Sequence, residues 1–167
     1  IEAAIAVYRP AVFAAIHGDT STTTVQPLDG VGALCRRYGV LSYIDATATL
    51  GGMPVRTDAW EIDIVTGALQ KCMGGPPGSA PITISDRAAD VIFARRKVES
   101  GIRRGDLADG SRPFIRSNYF DLAMIMDYWS EKRLNHHTEA TSMLYAAREC
   151  ARVALQEGLE ARFARHA

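Results

Sequence analysis

The chain has 167 residues, with 19 basic and 19 acidic side chains, no formal net charge and a hydrophobic fraction of 47%. That balance argues against a nucleic-acid or membrane-surface role driven by electrostatics, and no apolar run is long enough to span a bilayer. Three widely spaced cysteines, Cys35, Cys72 and Cys150, fit free thiols of a reducing, cytoplasmic compartment better than disulfides or a metal site.

Ile1 to Tyr8 reads as part of an apolar helix. Residues 11–16 read as a buried strand, and His17-Gly18-Asp19-Thr20-Ser21-Thr22-Thr23 as a polar loop at its carboxyl end. Pro27 suits the first turn of a helix, in which Leu28, Val31, Leu34, Cys35 and Tyr38 recur at helical spacing up to a stop at Gly39. Gly30-Val31-Gly32 lies within that helical pattern and is not a dinucleotide loop. Short apolar strands follow over 40–44, 61–66 and 80–85, and Ser85 or Asp86 caps a helix from Arg87 to about Glu99. This alternation implies a mostly parallel sheet covered on both faces. The link between the last two strands is too short for a helical crossover, so that pair is expected to be antiparallel and the sheet mixed.

Residues 100–117 form a polar loop whose arginines (Arg103, Arg104, Arg112 and Arg116) read as solvated. From Asn118 a helix resumes, with Leu122, Ile125, Met126 and Trp129 on one apolar face. Ser130 to His137 is a connector. Thr138 then caps a long helix in which Ala140, Leu144, Ala147, Ala151, Ala154 and Leu155 repeat at helical spacing. Neither end of the chain carries a cap or stop signal, so the chain is expected to be the middle of a longer protein.

The chemistry centres on Thr66-Gly67-Ala68-Leu69-Gln70-Lys71-Cys72-Met73-Gly74-Gly75-Pro76-Pro77-Gly78, where a lysine sits on a tight loop after an apolar strand. An amine held there is expected to be poorly solvated, which favours Schiff-base chemistry. Upstream, the strand ending at Ile44 is followed by Asp45. Carboxyl ends of neighbouring parallel strands open onto one crevice, so Asp45 and Lys71 are expected to face one ligand. A pyridine-aldehyde cofactor needs that pair: a lysine for its aldehyde and an acid for its ring nitrogen. Singly, Asp45 also reads as a turn residue, Thr20 as a turn former, Gln70 as a packed polar group, Thr138 as a helix cap and Cys72 as a small packed residue. His136 and His137 lack a third ligand at metal spacing and read as structural or interface residues.

Four blocks in register carry a resemblance: His17-Gly18-Asp19-Thr20-Ser21-Thr22 with Gln26-Pro27-Leu28; Asp45 with Leu50-Gly51-Gly52; Thr66-Gly67 through Gln70-Lys71 to Pro76-Pro77-Gly78; and Asn135-His136-His137-Thr138. On these the chain resembles the class V branch of fold-type I pyridoxal-phosphate aminotransferases, the alanine–glyoxylate aminotransferase group. The resemblance implies an α/β three-layer sandwich, a mostly parallel mixed sheet flanked by helices. Residues 1–167 would then be the central part of the large domain, without its upstream part and without the small domain. It implies pyridoxal 5′-phosphate as cofactor, with Lys71 as the lysine that forms the Schiff base and shuttles a proton. Asp45 resembles the partner of the ring nitrogen, Thr20 the hydroxyl near the phenolic oxygen, Thr47 the residue against the ring and Gln70 a phosphate ligand. Thr138 matches a residue reaching the neighbouring subunit's phosphate, which implies a homodimer with shared sites.

Arg116-Ser117-Asn118-Tyr119-Phe120-Asp121-Leu122 and the run from Leu134 to Met143 are similar to the ureidoglycine–glyoxylate branch of the group, from bacterial purine breakdown. Alanine–glyoxylate enzymes usually have a tyrosine at the position of Asn135, whose amide suits recognition of a ureido group. The implied reaction takes an amino acid and a 2-oxo acid: (S)-ureidoglycine and glyoxylate give oxalurate and glycine. The alternatives are alanine-, serine- or pyridoxamine-linked transamination, a cysteine-desulfurase-like lyase, or a scaffold without activity.

Overall fold

From its amino end the chain forms α1 (Glu2–Tyr8), β1 (Val12–Ile16), a short hairpin of β2 (Gly18–Asp19) and β3 (Thr24–Val25), then α2 (Val31–Arg37). Three strands follow, β4 (Leu41–Asp45), β5 (Ile64–Thr66) and β6 (Ile82–Ile84), and then α3 (Asp86–Ala94), α4 (Leu122–Trp129), α5 (Thr141–Glu157) and α6 (Leu159–His166). The structure, a computed structural model, describes residues 1–96 and 117–167. The expected loop arginines Arg103, Arg104, Arg112 and Arg116, and the expected end of the third helix near Glu99, lie outside the described residues. The described chain divides into two units, Ile1–Ser85 with Glu139–Ala167, and Asp86–Thr138.

The first unit holds a four-stranded sheet in the order β1-β4-β5-β6. β1 and β5 both run parallel to β4, whereas β6 is antiparallel to β5, so the sheet is mixed as its short connection requires. β4 and β5 are the two inner strands. Ser42 and Ile44 are buried while Leu41, Tyr43 and Asp45 are half-buried, so neither face is open to solvent. Ile44 packs with Leu28, Ala46, Ile62 and Val65, and a second cluster joins Ile5, Val31, Cys35 and Val40. Each fully buried aliphatic side chain there contributes about 1.5–3 kcal/mol.

One buried acid ties the strands together. Asp63, just before β5, accepts hydrogen bonds from Ser42 N (2.8 Å), Ser42 Oγ (3.0 Å) and Ser85 Oγ (2.9 Å). Its own N–H donates to Ser42 Oγ at 2.9 Å. A buried carboxylate is tolerated when its oxygens are met this way.

Several boundaries differ from the sequence pattern. α2 starts at Val31 and not at Pro27, because Gly30 takes a left-handed backbone (φ 76°) outside the helical region. The polar segment after β1 is a hairpin, braced where Asp19 accepts from Ser21 N (2.8 Å) and Thr22 Oγ (3.1 Å). Those two bonds hold the Asp19 carboxyl below its ordinary range. Thr138 is not a helix cap: α5 begins at Thr141 with Ala140 as its N-cap. Gly158 (φ 85°, ψ 134°) then breaks the long helical stretch in two.

In the second unit Asp121 caps α4, accepting from Ala123 N and Met124 N. The buried residues of α4 are Ala123 and Asp127, and Trp129, expected on the buried face, is 60% exposed. Asp127 is paired with Arg96 and with Lys132 Nζ (3.1 Å), which explains why a carboxylate replaces an apolar residue there. His136 Nε2 donates to Asn118 O, and its Nδ1 is hydrogen-bonded to His137 Nδ1 at 2.7 Å. The His137 ring lies between those of Tyr128 (5.3 Å) and Tyr119 (5.9 Å), in keeping with a structural part for the pair.

Candidate active site

Ile16, Asp45 and Thr66 stand in register at the carboxyl ends of β1, β4 and β5. The ladder continues one residue further, with His17 N–H donating to Asp45 O and Ala46 N–H to Thr66 O, both at 2.8 Å. Three loops therefore leave the sheet from one edge, the edge where parallel sheets bind ligands.

The first loop is the β2–β3 hairpin, which carries the exposed Thr20. Gln26 N–H returns to His17 O at 2.8 Å and closes it. His17 itself is buried, with Nδ1 2.8 Å from Thr49 Oγ1 and its ring edge-on to Trp60. Burial pushes its pKa below the usual 6.5, so the ring is a neutral strut between the first and second loops.

The second loop begins with Asp45, which is half-buried. Its Oδ1 accepts from Thr47 N–H at 2.8 Å, a bond that fixes the carboxylate and the Thr47 backbone together. Its Oδ2 has no protein partner among the described residues. A pinned carboxylate with one open oxygen is what a protonated ring nitrogen requires, so this position fits the implied cofactor.

The third loop carries Lys71. Gly67 N–H donates to Pro81 O (2.9 Å), Gly75 N–H to Leu69 O (2.8 Å) and Gly74 N–H to Lys71 O (2.9 Å). Ala68 and Leu69 are buried and form the base, while Gln70 and Lys71 are exposed. The poor solvation expected for the Lys71 amine is thus incorrect: Lys71 opens a turn closed by Gly74 (φ 76°), and its side chain stands in solvent. Gln70 likewise is not a packed group.

The second and third loops are in direct contact. A Cβ on Gly67 would lie 2.3 Å from Leu50 Cδ2, so a larger residue there would push the Leu50 side chain aside. Gly51 (φ 82°) lies against Met73, whose Sδ would be 2.6 Å from an added Cβ. Cys72 Sγ donates to Ala48 O at 3.2 Å, and none of the three cysteines forms a disulfide. Arg162, on α6, joins both loops: Nε donates to Gly51 O (2.9 Å), Nη2 to Cys72 O (2.6 Å) and Nη1 to Glu157 Oε2 (2.7 Å). Sequence reading missed Arg162, since Glu157, Glu160, Arg162 and Arg165 together look like a solvated helix face. It also missed His17 as a strut, where the signal was a histidine directly at a strand end.

The structure thus sets Thr20, Asp45, Thr47, Gln70 and Lys71 on three adjacent loops of one unit. Asn135 and Thr138, both exposed, belong to the unit Asp86–Thr138. Among the described residues no helix is long and apolar enough to cross a membrane.

Residues 1–101 match the family model "Aminotransferase class-V". The (S)-ureidoglycine–glyoxylate transaminase of Bacillus subtilis (strain 168) is 55% identical over 161 residues, covering 95% of this chain and 38% of that protein. The alanine–glyoxylate aminotransferase of Oryctolagus cuniculus is 34% identical over 169 residues, covering 99% of this chain and 39% of that protein. Among solved structures, ureidoglycine–glyoxylate aminotransferase from Bacillus subtilis superposes with a TM-score of 0.86 at 48% identity, over 99% of this chain and 38% of that one. The chain therefore spans less than two fifths of the length of the relatives it matches. By its sequence and by its mixed, mostly parallel sheet flanked by helices, the chain belongs to the class-V aminotransferase family.

Proposed function

We propose that the whole protein is a pyridoxal 5′-phosphate-dependent aminotransferase that moves the amino group of (S)-ureidoglycine to glyoxylate, giving oxalurate and glycine in purine breakdown. The observation that carries the reading is the placement of Asp45, with one oxygen open, beside the Lys71 loop on adjacent parallel strands. Identity of 55% to a protein named as acting on ureidoglycine and glyoxylate supports that choice of substrates. The second reading is alanine as amino donor, favoured by the 34% identity to a rabbit alanine–glyoxylate enzyme.

When bound, the cofactor's protonated ring supplies an electron sink for the bond broken at the substrate Cα. Lys71 Nζ would hold the cofactor at its aldehyde and, once freed by the amino donor, would move the proton taken from the substrate Cα. Asp45 Oδ2 holds the ring nitrogen protonated through a charge-assisted bond. Thr47 lies against the ring, Thr20 meets the phenolic oxygen and Gln70 contributes to the phosphate site. Thr138 reaches the phosphate of a second subunit in a cytoplasmic homodimer, and Asn135 reads the ureido group of the donor. Exposure of Lys71 accords with this work, since the amine must reach a cofactor and then release it.

The test is a visible absorption scan of the whole protein supplied with pyridoxal phosphate. A band near ~410–430 nm that Lys71→Ala abolishes is expected of lysine-bound cofactor. Its loss on adding ureidoglycine, but not alanine, supports the first reading, and the reverse supports the second. Absence of any band would refute both.

A further inference from the structure

We infer that Arg162 is a positioning residue: its guanidinium fixes the spacing between the loop that follows Asp45 and the loop that carries Lys71. Arg162 is 4% exposed, although it sits on a helix rich in charge. Burying a guanidinium is costly unless its donors are met, and here three of them are. Two of its three acceptors are main-chain carbonyls, Gly51 O and Cys72 O, one from each loop. Glu157 Oε2, the third, balances the charge and sets the orientation of the fork.

This geometry differs from an ordinary helix-to-core ion pair. A planar fork holds two acceptors at one fixed separation, which a lysine ammonium on a flexible stem does not. The Cys72 carbonyl is one residue past Lys71, inside the turn closed by Gly74 N–H on Lys71 O. The Gly51 carbonyl is in the loop that opens with Asp45 and Thr47. The clasp is reinforced from its own helix, where His166 Nδ1 meets Arg162 O at 2.8 Å. The two loops bear the groups that must address opposite ends of one ring, so their spacing governs whether both engage it. The effect on cofactor rests on the proposed function; the bracing of the loops does not.

The experiment compares the whole protein with Arg162→Lys and with Glu157→Gln, which leaves Arg162 in place and loosens its fork. Amide hydrogen exchange of the cofactor-free protein reads the bracing, because it reports local opening residue by residue. In Arg162→Lys, exchange at Gly74 and Gly75 is expected to quicken by ~10-fold or more, while Ile44 and Val65 in the sheet stay within about twofold of the parent, as expected from losing charge-assisted bonds at one place. Glu157→Gln is expected to show the same pattern more weakly. Pyridoxal phosphate affinity, followed by the visible band, is expected to fall by roughly 10- to 100-fold in Arg162→Lys. Unchanged exchange at Gly74 and Gly75, or equal quickening in loop and sheet, would overturn the inference. So would quicker loop exchange with parent-like affinity. A parent protein that takes up no cofactor would sink the proposed function instead, and the exchange data would still decide the bracing.

Discussion

Asp45 and Asn135 differ in how much of the side chain the protein itself engages. Asp45 Oδ1 accepts from the Thr47 amide, while Oδ2 has no protein partner among the described residues. Asn135 is exposed on the connector before α5, with two donors and an acceptor to offer. If Asn135 reads the ureido group, Asn135→Tyr should move the ratio of kcat/KM for ureidoglycine over alanine toward alanine by ~10-fold or more, because an unmet polar group penalises the wrong partner. A ratio equal to the parent's would remove Asn135 from the substrate site. At this scale the positions of Asp45, at the end of β4, and of Lys71, in the breaker-rich loop after β5, were legible in the sequence. The solvation of Lys71 was not legible: it depends on a turn closed by Gly74, and Gly74 and Gly75 are equally good turn formers on paper.

The junction of α5 and α6 is where element-scale behaviour concentrates. Gly158 separates the helices, and Glu157 accepts from Arg165 Nε (2.6 Å) and Nη2 (3.0 Å) as well as from Arg162. These bonds, that of Arg165 foremost, lower the Glu157 carboxyl to about 2 from an ordinary 4.5. The folded value lies below the unfolded one, so the unfolded chain takes up this proton first on acidification. The contribution is complete above pH 4.5 and is lost as pH falls toward 2. Thermal melts of parent and Glu157→Gln should therefore differ at neutral pH and converge over that acid window; a gap independent of pH would show that the ion pairs are not its source. The break at Gly158 was not evident from periodicity, because apolar spacing continues through Leu155 and Leu159. Periodicity says which residues share a face, not which face is covered. Hence Leu155 and Trp129 stay exposed while Cys150 and Ala154 turn inward.

At the scale of the molecule, the antiparallel pairing of β5 with β6 in an otherwise parallel sheet followed from the short connection between them, which the sequence states outright. Asp63 did not follow, because an acid at a strand start looks like a turn residue until Ser42 and Ser85 arrive from other strands. It is fully buried and bonded to the flanking serines, so Asp63→Ala should lower the stability of the whole protein by about 2–4 kcal/mol in denaturant unfolding. A loss below about 0.5 kcal/mol, the scatter of neutral surface changes, would show that the serines re-pair without it. The antiparallel return of β6 has a consequence for assembly order. Ile64 to Thr66 pair with Ile82 to Ile84, and Gly67 with Pro81, so the lysine loop is stapled at both ends by close sequence neighbours. Its ring closure requires no distant segment, whereas the parallel pair of β1 and β4 must bring in the whole intervening hairpin and helix. The loop bearing Lys71 can therefore close early on its own two strands, before Arg162 arrives from α6 to hold it against the loop that follows Asp45.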